Sequence, residues 1–194
     1  MKNFLRKTIL FLTLSIVMLS LIGCSSAKPD ASVKGLLDSI KKLDFNTAQT
    51  FIKSDSPQEQ FKYDSPEQEK IVKAIFDKIS YEIVSTTKEG DTAKVKTKVT
   101  SIDMPRTSSK LMSDMMSLIL AQSLSDNKVD EAKQTEMITQ SFINALNDPN
   151  VAKTTTEVDI ELVKEGKKWL VVPNDELLDA ITGNISKMNL SPNK

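Results

Sequence analysis

Histidine is absent from all 194 residues, and cysteine occurs once, at position 24. Without histidine the chain lacks the usual general base and the commonest transition-metal ligand. A lone cysteine cannot close an internal disulfide, so the fold must rest on its core. Glycine is scarce, with five in the whole chain, and they form neither a phosphate-cradling loop nor a Gly-x-Ser-x-Gly nucleophile elbow. A net charge is missing too: 26 basic residues face 26 acidic ones. That balance argues against nucleic acid and against a polybasic membrane patch. No metal, cofactor or catalytic residue is expected from such an inventory. A carboxylate working with Tyr63 or Tyr81 remains as an acid–base alternative that no motif singles out.

The N-terminus is richer in signal. Lys2, Arg6 and Lys7 precede an uncharged run, TILFLTLSIVMLSLIG, which ends at Cys24. A basic segment followed by an apolar one is the layout of an export signal, because the positive charges stay on the cytoplasmic side while the apolar part inserts. Cleavage between small residues fits Gly23 but not Leu21, and a permanent span needs roughly 20 apolar residues, which the run reaches only at its limit. The third reading is carried by Leu21-Ile22-Gly23-Cys24, which resembles the lipobox of bacterial lipoproteins: an aliphatic residue, a tolerant position, a small residue and the modified cysteine. The resemblance implies that residues 1–23 are a lipoprotein signal peptide and that Cys24 carries a diacylglyceryl group as the lipidation site. The protein would then sit at the cell membrane, lipid-anchored on its extracytoplasmic face. Two acyl chains hold stably where one does not, at roughly 0.8 kcal/mol per buried CH₂. Without Lys2, Arg6 and Lys7, the remaining 23 basic residues face 26 acidic ones, a mildly acidic mature chain. Residues 24–30 form a short tether, spanning about 20 Å at most, which keeps the domain near the bilayer.

Residues 31–185 have the length of a single domain. Asp30 is a candidate cap for a helix whose apolar face comprises Val33, Leu36, Leu37, Ile40 and Leu43, and Asn46 for a short second one. After a polar loop, Ser65-Pro66-Glu67-Gln68 combines a capping box with proline at the first helical position and opens a third helix through Ile71, Ala74, Ile75 and Ile79. From Tyr81 the period changes to two. Residues 82–88 and 91–103 flank Glu89-Gly90, and residues 154–164 and 167–172 flank Glu165-Gly166, which predicts two hairpins. Residues 105–150, between the hairpins, read as a helical insertion. One helix carries Leu111, Met115, Leu118 and Gln122 on one face, widened by Met112, Ile119 and Leu120; Asp126-Asn127 breaks it. A second runs from Asp130 to Leu146, with Ile138, Phe142 and Ala145 in phase, and ends at Asp148-Pro149-Asn150. Asn174 caps a C-terminal helix that Gly183 stops, and residues 186–194 read as a flexible tail. The order of elements predicts an α+β fold: N-terminal helices on a four-stranded antiparallel sheet made of two hairpins.

Three features invite a functional reading and each has a plainer one. Lys94, Lys96 and Lys98 form a basic stripe. Antiparallel pairing with Glu161, Asp159 and Glu157 would make the same row a register device. Met112, Met115 and Met116 are candidates for lining an adaptable pocket or interaction surface, though their spacing also suits a core. Trp169 either stacks on a ligand or fills the core or a sheet face.

PDASVKGLLDSIKKLDFNTAQTFI is similar to the opening helix pair of small NTF2-like, or cystatin-like, surface lipoproteins of Gram-positive bacteria, and GKKWLVVPNDELLDAITGNI to their closing strand and helix. That resemblance implies an apolar cone between the helices and the inner sheet face, and brings no catalytic residues with it. Three functions stay open. The first is a non-enzymatic domain binding a small apolar ligand or an envelope protein. The second is a structural envelope role without a pocket. The third is an NTF2-like enzyme using a buried carboxylate.

Overall fold

The computed structural model describes residues 28–55, 60–123 and 130–188, except for the side chains at 117–119, 121–123, 131 and 132. The signal segment, Cys24, most of the tether, the break at Asp126-Asn127, the side chains of Leu118, Ile119 and Gln122, and the tail beyond Met188 lie outside the described residues. The architecture is α+β, with four antiparallel strands in the order β1-β2-β3-β4.

Helix α1 spans Pro29–Lys41, earlier than expected. Lys28, not Asp30, is its N-cap, and no side chain caps it. Proline fits there because it has no N–H to leave unpaired, and Asp30 lies in the first turn, where the helix dipole favours an acid. The helix does not continue through Leu43. That residue turns left-handed at φ 60°, and Leu43 and Asp44 donate back to the carbonyls of Ile40 and Ser39 at 2.9 Å each. These paired bonds close the helix end in the way that glycine usually permits. Helix α2, Phe45–Gln49, is then capped by Asp44, whose carboxylate accepts from the Thr47 N–H at 3.0 Å; Asn46 lies inside the helix.

Helix α3, Pro66–Phe76, begins as its sequence demands. The Ser65 hydroxyl accepts from the Gln68 N–H at 3.1 Å. The Gln68 side chain reaches one residue past the usual capping-box partner and accepts from the Asp64 N–H at 2.6 Å. Phe76, Phe45, Phe61 and Tyr63 form a chain of ring contacts with centroids 4.5–5.7 Å apart, pinning the segment before α3 onto α2.

Strands β1 (Ser80–Glu89) and β2 (Thr92–Ile102) make the first hairpin, and β3 (Lys153–Glu165) and β4 (Lys168–Val171) the second. The loops fall one residue later than expected. Glu89 pairs with Thr92 and Glu165 with Lys168, so the loop residues are Gly90-Asp91 and Gly166-Lys167. Both glycines sit at φ 61° in the first loop position, the arrangement of a II′ turn. β2 and β3 pair in the expected register, Lys94 with Glu161, Lys96 with Asp159 and Lys98 with Glu157. Lys94 reaches Glu161 at 3.7 Å, and Lys96 reaches Glu157 at 3.3 Å and Asp159 at 3.9 Å. These groups are about half exposed and stabilise little, but a one-residue slip would turn the charges inward.

The inner sheet face carries Val95, Val99, Val158, Ile160, Trp169 and Val171. It packs on Val33, Leu36, Leu37 and Ile40 of α1 and on Leu177 and Ala180 of the last helix, α6, Asp175–Thr182. Asn174 caps α6 by accepting from the Leu177 N–H at 2.8 Å, and Gly183 ends it at φ 73°. A Cβ on Gly183 would overlap the carbonyl oxygen of Ile102. The chain after α6 does not simply trail off: Ile185–Lys187 makes a 3₁₀ turn and Met188 packs inward, whereas Ile185 is 40% exposed.

Helices α4 (Met104–Ser123) and α5 (Glu131–Asn147) leave from the end of β2 and return to the start of β3. A second core of Ala74, Ile102, Met104 and Leu146 docks their base, with Ile71, Ile75 and Phe142 packed against it.

Candidate functional site

The first place to look is the space between the helices and the inner sheet face. It is filled. Val33, Leu37, Val95, Ile160 and Val171 are 0% exposed and Trp169 is 2% exposed. Trp169 is therefore a core residue and not a ligand platform; Lys88 lies over its ring at 5.5 Å and closes that end of the core. Among the described residues, the buried polar side chains are serines and threonines, with no carboxylate among them. Tyr81 does donate to Asp38 at 2.6 Å, tying β1 to α1. Burial first, and this hydrogen bond second, hold the Tyr81 hydroxyl well above its ordinary range, so it stays protonated. Neither residue lines the clefts described below. Among the described residues no three or more metal-ligating side chains converge, and no helix is long and apolar enough to cross a membrane.

Two cavities lie instead on either side of α4, and a smaller one of about 490 Å³ lies on the sheet beside Thr92, Lys94 and Glu161. Helical spacing sorts its side chains into rows of i, i+4 neighbours. Ser108, Met112 and Met116 form one row and, with Pro105, Lys187 and Met188, line an open groove of about 840 Å³. Leu120 continues that row. Met112, Met116 and Leu120 are 71%, 64% and 65% exposed. Core packing is thus overturned for Met112 and Met116, because α5 lies against the adjacent row of α4 and this one meets only Lys187 and Met188 at its edge. On α5, Met137 and Ile138 are also exposed, so Ile138 does not share the inward face of Phe142; Leu146 does, and Ile143 is buried as well.

Thr107, Leu111 and Met115 form the adjacent row and face α5 across a cleft of about 840 Å³, with Ser141, Ala145, Val151 and Ala152 opposite. Met115 thus parts company with Met112 and Met116. Arg106, Lys110 and Asp114 form the rim row, with Asn144, Asp148 and Asn150 on the other lip. Lys110 binds Asp114 at 2.6 Å, and both Asp114 and, more weakly, Asp148 raise its affinity for the proton. Among the described residues, Arg106 has no ion-pair partner. Thr107 is 6% exposed and its hydroxyl has no hydrogen-bond partner there. An unpaired buried hydroxyl costs about 1–3 kcal/mol, and a helical threonine ordinarily spends it on the carbonyl four residues back. Sequence reading passes over Arg106 and Thr107 and takes Asp148 only as part of a helix stop. The one available signal is the pair of parallel rows at 106, 110, 114 and 107, 111, 115.

No family model, curated protein sequence or solved structure matches this chain.

Proposed function

We propose that this protein is a lipid-anchored, extracytoplasmic, non-enzymatic binding domain of NTF2-like type, and that the α4–α5 hairpin performs the binding. The observation that carries the binding assignment is the filled interior beside an open hairpin. A packed cone leaves no room for a ligand between helices and sheet, while α4 is flanked by two clefts and bears exposed methionines. Methionine suits this use because its thioether is polarisable and its side chain adapts to shape. The NTF2-like assignment draws on the sequence resemblance at both ends of the chain and on a sheet wrapped by helices on one face. The non-enzymatic reading draws on a tyrosine held protonated and turned to a structural tie. The anchor draws on Leu21-Ile22-Gly23-Cys24.

Two experiments test this. Cys24→Ser should yield an unprocessed precursor without acyl label in cells fed a labelled fatty acid; normal labelling of that variant sinks the anchor. A photo-cross-linking residue at 112 or 116 should form adducts in the intact envelope, whereas one at Lys98 on the outer sheet face should not. Equal yields at both places would remove the hairpin from its role. The structural alternative, an envelope protein with no ligand, predicts that the two clefts bind nothing and that cross-links depend only on local protein density.

A further inference from the structure

We propose that the cleft between α4 and α5 binds a small organic monocarboxylate, its anionic end on Arg106 and its apolar body on Leu111, Met115 and Val151. A cleft of about 840 Å³ suits a ligand the size of an acylated amino acid or a short-chain acid. Its floor is half-buried and apolar at Leu111, Met115 and Val151. Two polar groups at one end are unspent. Arg106 has no ion-pair partner among the described residues, whereas its neighbour Lys110 is bound to Asp114 at 2.6 Å. Thr107, beside Arg106, keeps a buried hydroxyl without a partner. A planar guanidinium fork matches a carboxylate, and the Thr107 hydroxyl, shielded in the adjacent row, would donate to the same group after a rotation about its Cα–Cβ bond turns it toward the cleft. Asp114 and Asp148 limit the charge the site accepts: a second negative group would meet them, so polyphosphates and dicarboxylates are disfavoured.

The proposal rests on the hairpin being the binding element, and its test is separable from the cross-linking above. Full-length protein in lipid nanodiscs, carrying ¹³C-methyl methionine, is titrated with N-acetyl-leucine, N-acetyl-phenylalanine and hexanoate, and with N-acetyl-leucinamide as the uncharged control. At least one acid should shift the Met115 methyl signal saturably and leave Met112, in the adjacent row that lines the other groove, in place. The amide should bind at least tenfold more weakly. Arg106→Gln should weaken the acid at least tenfold and leave the amide unchanged, with Arg106→Lys intermediate. Thr107→Val should weaken the acid about threefold or more, with the other methionine signals confirming an intact fold. Equal binding of acid and amide, no saturable Met115 shift with any acid, or indifference to Arg106→Gln each overturns the proposal. If Thr107→Val leaves affinity unchanged, its hydroxyl serves water only, and the two-group clamp falls. Hairpin cross-links that persist while every acid fails would leave the binding role standing without this ligand.

Discussion

Tyr81 shows how a single side chain couples fold and pH. Its hydroxyl donates to Asp38 at 2.6 Å, and its proton is held above the ordinary value of 10.0. Tyr81→Phe should cost about 1 kcal/mol at pH 7, since a hydrogen bond to a carboxylate is lost from a half-buried place. The unfolded chain releases this proton near pH 10 and the folded one only above it. The wild type therefore loses the tyrosine's contribution as pH rises beyond about 10. The deficit of Tyr81→Phe, measured by urea denaturation from pH 8 to 11, should stay constant up to that point and then narrow; a flat deficit would refute the assignment. Gly183 is the other sensitive residue. Gly183→Ala combines a left-handed backbone with a clash against the Ile102 carbonyl and should cost about 3 kcal/mol. Gly90→Ala, at a tip with nothing near the added carbon, should cost about 1–2 kcal/mol. These glycines are legible in the sequence because they stand where periods change. Leu43 is not: a leucine in a glycine's conformation reads as one more apolar residue on α1.

At the level of elements, the sheet is far more legible than the helices of 105–150. Strand alternation states which side is buried, and a lysine row facing an acidic row specifies the register from sequence alone. A helical period marks a helix without saying how wide an arc its neighbours cover. On α4 the apolar arc spans two rows, and α5 covers only the one with Thr107, Leu111 and Met115. The period by itself therefore assigns Met112 and Met116 to a core and gives Arg106 no distinction from other surface charges. Stability separates the rows. The double substitution Met112→Ser, Met116→Ser should shift the urea midpoint by less than the equivalent of about 1 kcal/mol, because both side chains already meet water. Leu146→Ala, at 0% exposure in the second core, should cost about 2–5 kcal/mol and loosen the base of both helices.

For the molecule as a whole, the β2–β3 ladder is the seam. It holds eleven paired positions and ends with Ile102 directly opposite Lys153. Everything from 103 to 152 therefore leaves and re-enters at neighbouring points of one ladder. Replacing that stretch with Asn-Gly should leave a continuous meander in which the β2 and β3 amides keep their protection from hydrogen exchange. Ile71, Ala74 and Ile75 would be uncovered, so α3 should exchange faster. Loss of protection along the ladder would mean that the hairpin holds the sheet together.

That same cross-strand neighbour pair also sets a clock. The two hairpins β1–β2 and β3–β4 have short loops and can form early, but they must find each other across the intervening helices before the central ladder zips. Closing a loop of that length costs about 3 kcal/mol more than closing a two-residue turn. The Asn-Gly variant should therefore refold roughly a hundredfold faster, even though it is the less stable protein. Stopped-flow refolding would register the helical hairpin as a delay in assembly.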